Sequence, residues 1–179
     1  MIKVLYPDWL TRALRTDHAG ETGAVWIYRG ILTVSVNNSV RTFACLHLET
    51  ELKHLNKIES LLSLKHRSWL LPVWRIAGFF TGAIPALCGP DMTFHTIEAV
   101  ETFVGQHYQD QLDSLQSIVE HNPELAIVRL VLSECQFDEI AHRNEAAQRV
   151  QNAPGAIIRL WCLLVYSGSQ AAVTLARHI

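Results

Sequence analysis

The segments E-L-K-H, Glu51 to His54, and E-I-A-H, Glu139 to His142, repeat one pattern on two stretches that both read as long amphipathic helices. Side chains three residues apart on a helix are neighbours on one face, so each pair offers a carboxylate and an imidazole to a single metal ion. One such pair is more simply a surface Glu beside a surface His. Two pairs demand a fold that turns both faces toward each other, and they prompt a search for further carboxylates at the same level.

Proline and Asn/Ser clusters mark the helix ends. The pattern predicts a first helix from about Asp8 to Val36, a turn at Asn37–Ser39, and a second helix from about Val40 to Lys65. A third is expected from about Asp91 to His121, a fourth from Pro123 to about Gln151, and a last, apolar one at about 154–177. Short connections make each consecutive pair antiparallel neighbours. Between the hairpins, residues 66–90 form an apolar crossover that Pro72, Arg75 and Pro85 interrupt. A spanning helix needs about 20 uninterrupted apolar residues, so the crossover is expected to pack on the bundle or lie at a membrane interface, with Trp69, Trp74 and Phe79 as its anchors. The last helix is expected to be buried or interfacial. No strand pattern competes, and residues 1–179 read as a single domain: an all-α, ferritin-like four-helix bundle with a long crossover and an extra C-terminal helix.

Antiparallel helices bring side chains together only at equal height. At 1.5 Å per residue, Glu21 and Glu51 stand roughly 25 and 20 Å from the Asn37–Ser39 turn, and Glu101 and Glu139 roughly 32 and 26 Å from the turn at His121–Pro123. Each hairpin therefore carries a lone Glu facing an E-x-x-H: Glu21 with Glu51 and His54, then Glu101 with Glu139 and His142. This is the ligand scheme of carboxylate-bridged dimetal bundles. Four carboxylates balance two divalent cations, and two neutral imidazoles complete the set, which suits iron or manganese. Glu98, one turn before Glu101, is a rival for its place.

Tyr28 and Tyr108 each follow a lone Glu by two turns, as core aromatics or as hydroxyls lining a substrate pocket. His107 is a candidate donor near the site, and Asp17 and Asp138 are candidates for orienting the imidazoles. The remaining histidines, His47 among them, have no symmetric counterpart and read as structural. The tryptophans read as core or interface anchors. Cys45, Cys88, Cys135 and Cys162 form no C-x-x-C pair and read as buried thiols in a reducing compartment.

The formal net charge of −2 excludes a broad basic field of the kind nucleic acids select. The amino terminus lacks a signal-type apolar run. With 49% hydrophobic and 18% charged residues and a mean hydropathy of +0.14, some apolar surface is expected to meet a membrane or a partner.

T-D-H-A-G-E-T-G-A at 16–24, E-T-E-L-K-H-L-N-K, the apolar crossover, A-V-E-T-F-V-G-Q-H-Y at 99–108 and F-D-E-I-A-H together resemble, in order and over nearly the whole chain, the demethoxyubiquinone hydroxylase family. The resemblance implies that Glu21, Glu51, His54, Glu101, Glu139 and His142 bind two iron ions through which they are catalytic, and it favours Glu101 over Glu98. It implies a diiron monooxygenase of ubiquinone biosynthesis that hydroxylates the ring of demethoxyubiquinone or its quinol. Dioxygen would be co-substrate and NADH or the quinol itself the reductant. The implied partners are a polyprenyl quinone, a membrane held peripherally or monotopically, and other ubiquinone-biosynthesis proteins or a second copy of the chain. The implied location is the cytoplasmic face of the inner membrane, or the mitochondrial matrix face in a eukaryote. Thr102 and Gln106 depart from the family pattern beside the ligands. The same ligand scheme serves iron-oxidising or iron-storing bundles, and hydroxylases of modified tRNA bases, as alternatives.

Overall fold

The computed structural model describes residues 6–179. The amino-terminal stretch read for a leader begins in residues 1–5, which lie outside the described residues. Six α-helices and two short 3-10 turns make up the described fold, with no strand. They are α1 (Asp8–Val34), α2 (Asn38–Leu61), α3 (Leu71–Cys88), α4 (Pro90–Val119), α5 (Ala126–Arg149) and α6 (Ala156–Ala176).

The hairpins α1–α2 and α4–α5 form the four-helix bundle, with α2 against α5 and α1 facing α4, while α3 and α6 lie across the α1/α4 side. Helix ends follow local chemistry. The Asn37 side chain accepts from the Val40 N–H at 3.1 Å, capping α2. Pro123 opens a 3-10 turn and α5 starts only at Ala126; α2 stops at Leu61, earlier than the apolar pattern suggested.

The crossover departs most from expectation. α3 runs unbroken through Pro85. A proline inside a helix removes a hydrogen bond and crowds the preceding turn, at a cost of about 3 kcal/mol. Tertiary packing holds the helix nonetheless: Gly78 lies on the backbone of Gly23, and Gly82 on that of Ile27, so closely that no Cβ would fit. Pro72, in the first turn, is compatible with a helix start.

Two apolar clusters fill the bundle and leave a layer between them. One gathers Leu10, Leu14, Ile58, Leu115, Val128 and Leu132; the other gathers Ile31, Val40, Phe43, Phe94, Ile97 and Ala146. On every bundle helix the candidate metal ligands fall between these two levels. Fully burying one Leu or Phe contributes roughly 2 kcal/mol, whereas one buried ion costs several, so only a thick plug on both sides can hold such a polar layer.

The outward faces of α3 and α6 stay apolar and exposed. Trp69 is 86% exposed, and Val73, Ile76, Phe80, Ile84 and Leu87 continue its stripe at helical spacing. On α6 only Ala176 is buried, so of the two expectations for that helix burial is excluded. Both helices are long and apolar enough to cross a membrane by length and composition. Trp74 instead faces the bundle, and Phe79 is half-buried. Cys45 and Cys88 are exposed, contrary to the expectation for thiols, because they fall on outer faces of α2 and α3; all four cysteines are free.

Candidate metal centre

Glu21 from α1, Glu51 and His54 from α2, Glu101 from α4, and Glu139 and His142 from α5 converge in the layer between the plugs, each at most 4% exposed. Their donor atoms form two groups, Glu21/Glu51/His54/Glu139 and Glu51/Glu101/Glu139/His142, within each of which all atoms lie within 4.8 Å of one another. Glu51 and Glu139 belong to both. The arrangement offers two adjacent groups of donor atoms that share two carboxylates, with one outer carboxylate and one imidazole apiece.

Both imidazoles present Nδ1 to the carboxylates. His54 Nδ1 is 3.0 Å from Glu139 and 3.7 Å from Glu21; His142 Nδ1 is 3.1 Å from Glu51 and 3.5 Å from Glu139. Glu21 Oε2, both oxygens of Glu51, Glu139 Oε2 and His142 Nδ1 are buried without a hydrogen-bond partner. Buried polar atoms are rarely left so. Four carboxylates and two imidazoles with orphaned donor atoms fit a pair of divalent cations, whose charge the carboxylates would cancel.

Electrostatics without a cation shows the same strain. Burial, and then the charges of neighbouring carboxylates, push Glu21 and Glu101 well above the usual carboxylate range and raise Glu51. Burial alone would lower the histidines, but the adjacent Glu139 carboxylate, together with the other carboxylates around them, holds His54 up at about 10 and His142 at about 11. Burial opposes ionisation of Glu139, yet the two imidazoles beside it bring it down to about 2.

The surroundings answer the other expectations. Tyr28 donates to Glu101 Oε1 at 2.9 Å, and Tyr108 donates to Glu21. Both phenols are buried against the outer carboxylates, and neither borders the apolar groove described below. Asp138 Oδ2 is 3.0 Å from His54 Nε2, the orienting contact expected of it. Asp17 instead accepts from Gln111 at 2.6 Å and meets His107 at 3.2 Å, forming a network beside the ligands rather than on them. Glu98 pairs with His95 near the surface, so Glu101 alone occupies the cluster. His47, read as structural, lies edge-on to His142 with ring centroids 4.0 Å apart. Its position four residues before Glu51, on the same helical face, was the available signal.

An apolar groove of about 330 Å³ lies on the α1/α4 side of the bundle, beneath α3 and α6, and none of the six candidate ligands lines it. Gly20, Gly23 and Val100, on the helices that carry Glu21 and Glu101, form part of its wall, with Trp74 and Phe103. A second, more polar cleft of about 470 Å³ lies between α4 and α5, and it too is bordered by none of the candidate ligands.

A profile of the family described as Ubiquinone biosynthesis protein COQ7 matches residues 8–176. The chain belongs to that family. A mitochondrial relative from Dictyostelium discoideum, named NADPH-dependent 3-demethoxyubiquinone 3-hydroxylase, is 30% identical over 95% of this chain and 77% of its own length. One of the same name from Caenorhabditis elegans is 30% identical over 95% and 90%. A 3-demethoxyubiquinol 3-hydroxylase from Rhodospirillum rubrum is 39% identical over 75% of this chain and 62% of the relative. Membership of the COQ7 family agrees with the resemblance carried by the sequence motifs.

Proposed function

We propose that the chain is a diiron monooxygenase of ubiquinone biosynthesis, hydroxylating the ring of a demethoxyubiquinone or demethoxyubiquinol with dioxygen. Its membership of the COQ7 family and the names of its relatives support the hydroxylase and its substrate class. The observation that carries the dimetal part is the pair of donor groups sharing Glu51 and Glu139, with an apolar groove walled by the helices that carry Glu21 and Glu101.

Glu21, Glu51, His54 and Glu139 would hold one iron, and Glu51, Glu101, Glu139 and His142 the other. Bound iron supplies the reduction of dioxygen and the delivery of one oxygen atom to the ring. The chain's own residues do the positioning. Tyr28 and Tyr108 hold the outer carboxylates by their hydroxyls, and Asp138 holds the His54 ring. The apolar groove walls would exclude water from a bound ring, and Gly20 and Gly23 leave room for it along α1. NADPH in the relatives' names supports a reduced nicotinamide as the electron source.

The exposed stripe on α3 and the bare face of α6 support a monotopic seat on the membrane that dissolves the polyprenyl tail. The groove lies beneath these two helices, which gives the tail a short path from bilayer to ring. The eukaryotic relatives are named as mitochondrial, which supports the mitochondrion as the location in a eukaryote.

The test loads the full chain with iron anaerobically, adds demethoxyubiquinol in detergent, and admits isotopic dioxygen. A quinone product heavier by one labelled oxygen, absent with Glu139→Ala, is expected. Iron oxidation without that product would retain the metal centre and remove the quinone from the reading.

A further inference from the structure

Each E-x-x-H helix carries another donor-type side chain one turn before its Glu: His47 precedes Glu51 on α2, and Cys135 precedes Glu139 on α5. Residues four apart share a helix face, so both turn inward; His47 is 7% and Cys135 0% exposed. The repeat of the two hairpins makes these positions equivalent, yet they carry different chemistry and have different partners.

His47 is already engaged. Its Nε2 lies 3.1 Å from Glu145 Oε2, and Arg149 donates to the other oxygen of that carboxylate at 2.7 and 3.0 Å. The ring meets His142 by its edge, and His47 belongs to none of the groups of mutually close donor atoms among the described residues. Cys135 does belong to one. Its Sγ, a carboxylate oxygen of Glu21 and a ring nitrogen of His54 all lie within 4.8 Å of one another. Glu21 Oε2, 3.7 Å from His54 Nδ1, is buried and has no hydrogen-bond partner.

We propose that Cys135 is a sulfur donor, bound as its thiolate, to the metal position held by Glu21 and His54, which makes the two metal positions of this chain chemically unequal. The proposal rests on reading the centre as a dimetal site. When a divalent cation binds there, the S–H bond breaks, a sulfur–metal bond forms and the proton leaves to solvent; no electron moves. The Glu101/His142 position keeps only oxygen and nitrogen donors. A soft sulfur ligand favours iron, cobalt or zinc over manganese, so the inequality selects against manganese at the Glu21/His54 position.

Anaerobic titration of the metal-free full chain with Co(II) reads this directly, because sulfur bound to cobalt adds a charge-transfer band in the near ultraviolet that oxygen and nitrogen donors do not. The band is expected in the wild-type chain as cobalt fills the site, absent in Cys135→Ser and Cys135→Ala, and retained in Cys45→Ser and Cys88→Ser. Bound cobalt with d–d bands and no charge-transfer band in the wild type, or a band that survives both Cys135 variants, overturns the sulfur donor and leaves the dimetal reading standing. A wild-type chain that binds no cobalt overturns both. The wild-type spectrum makes the first decision by itself, so a variant that fails to fold does not protect the proposal.

Discussion

Asp138 Oδ2 lies 3.0 Å from His54 Nε2, on the opposite side of the ring from the carboxylates that face Nδ1. A proton held at Nε2 by Asp138 leaves the Nδ1 lone pair directed at the Glu21/Glu51/Glu139 oxygens, the tautomer a metal requires. Asp138→Asn should therefore weaken metal binding about 10- to 100-fold at one position only. Competitive chelator titration measures it; two unchanged affinities would show that the contact does not orient the ligand.

The sharing of Glu51 and Glu139 between both donor groups sets a stoichiometric pattern. Glu51→Ala and Glu139→Ala should each empty most of the centre, whereas Glu21→Ala and Glu101→Ala should each leave about one metal per chain, since each removes an outer ligand from a single position. Metal analysis after desalting distinguishes these outcomes. Equal losses in all four variants would contradict the bridging assignment.

Protons and metal compete for the same atoms, which fixes the sign of the pH dependence. In the metal-free chain His54 at about 10 and His142 at about 11 stand above their ordinary 6.5. Their stabilisation is complete below about pH 6.5 and is lost as pH rises through about 10 to 11. Glu21, Glu51 and Glu101 are also raised from 4.5, so they too favour the folded chain most at low pH and lose that contribution as pH rises through their elevated values. Glu139, lowered to about 2, acts oppositely, stabilising above about pH 4.5 and losing that contribution as pH falls through about 2. Between about pH 5 and 10 the unfolding free energy of the metal-free chain should fall with pH, by about 1.4 kcal/mol per pH unit for each excess proton bound by the folded state, and the melting temperature with it. Metal affinity should rise over the same range. Thermal melts by circular dichroism check the first statement, and a flat profile would contradict it.

At Gly82 a Cβ would run into the Ile27 carbonyl, and at Gly78 into that of Gly23. Gly82→Ala should force α3 away from α1 and destabilise the chain by about 1–3 kcal/mol, the usual range for overpacking. The urea midpoint reports it. Gly155→Ala, where a Cβ meets nothing within 4 Å, serves as the control.

Phe80 and Leu87 lie on the exposed stripe of α3, with exposed Trp69 just before it, and changing all three to Asp removes apolar surface without opening the core. Co-sedimentation with phospholipid vesicles should drop severalfold while the melting temperature of the metal-loaded chain stays within a few degrees. Undiminished sedimentation would refute the membrane seat. Trp74 is unsuited to this test because it borders the groove.

The candidate site was legible in the sequence to an unusual depth because its spacing is helical. Glu51/His54 and Glu139/His142 share a face at i and i+3 whatever the tertiary fold, and counting residues from the hairpin turns put Glu21 and Glu101 at their level. Helix type and order also followed from local pattern, since Pro, Asn and Ser interrupt the amphipathic runs wherever the chain turns. Ends were less legible: the α5 start moved from Pro123 to Ala126 because a 3-10 turn absorbs the first residues.

Contacts across helices escaped that reading. That α3 would continue through Pro85 depends on the fit of Gly78 and Gly82 to the α1 backbone, and no local propensity carries that information. The direction of the Tyr28 and Tyr108 hydroxyls, and the placing of His47 and Cys135 beside opposite imidazoles, are likewise settled between helices far apart in sequence. The amino-acid sequence by itself determined the helices, their pairing and the six side chains that meet in the candidate site, because helical periodicity is a property of neighbouring residues. Only the tertiary structure decided which donor shares which position and what covers the groove, because those outcomes depend on how side chains from separate helices pack into one interior.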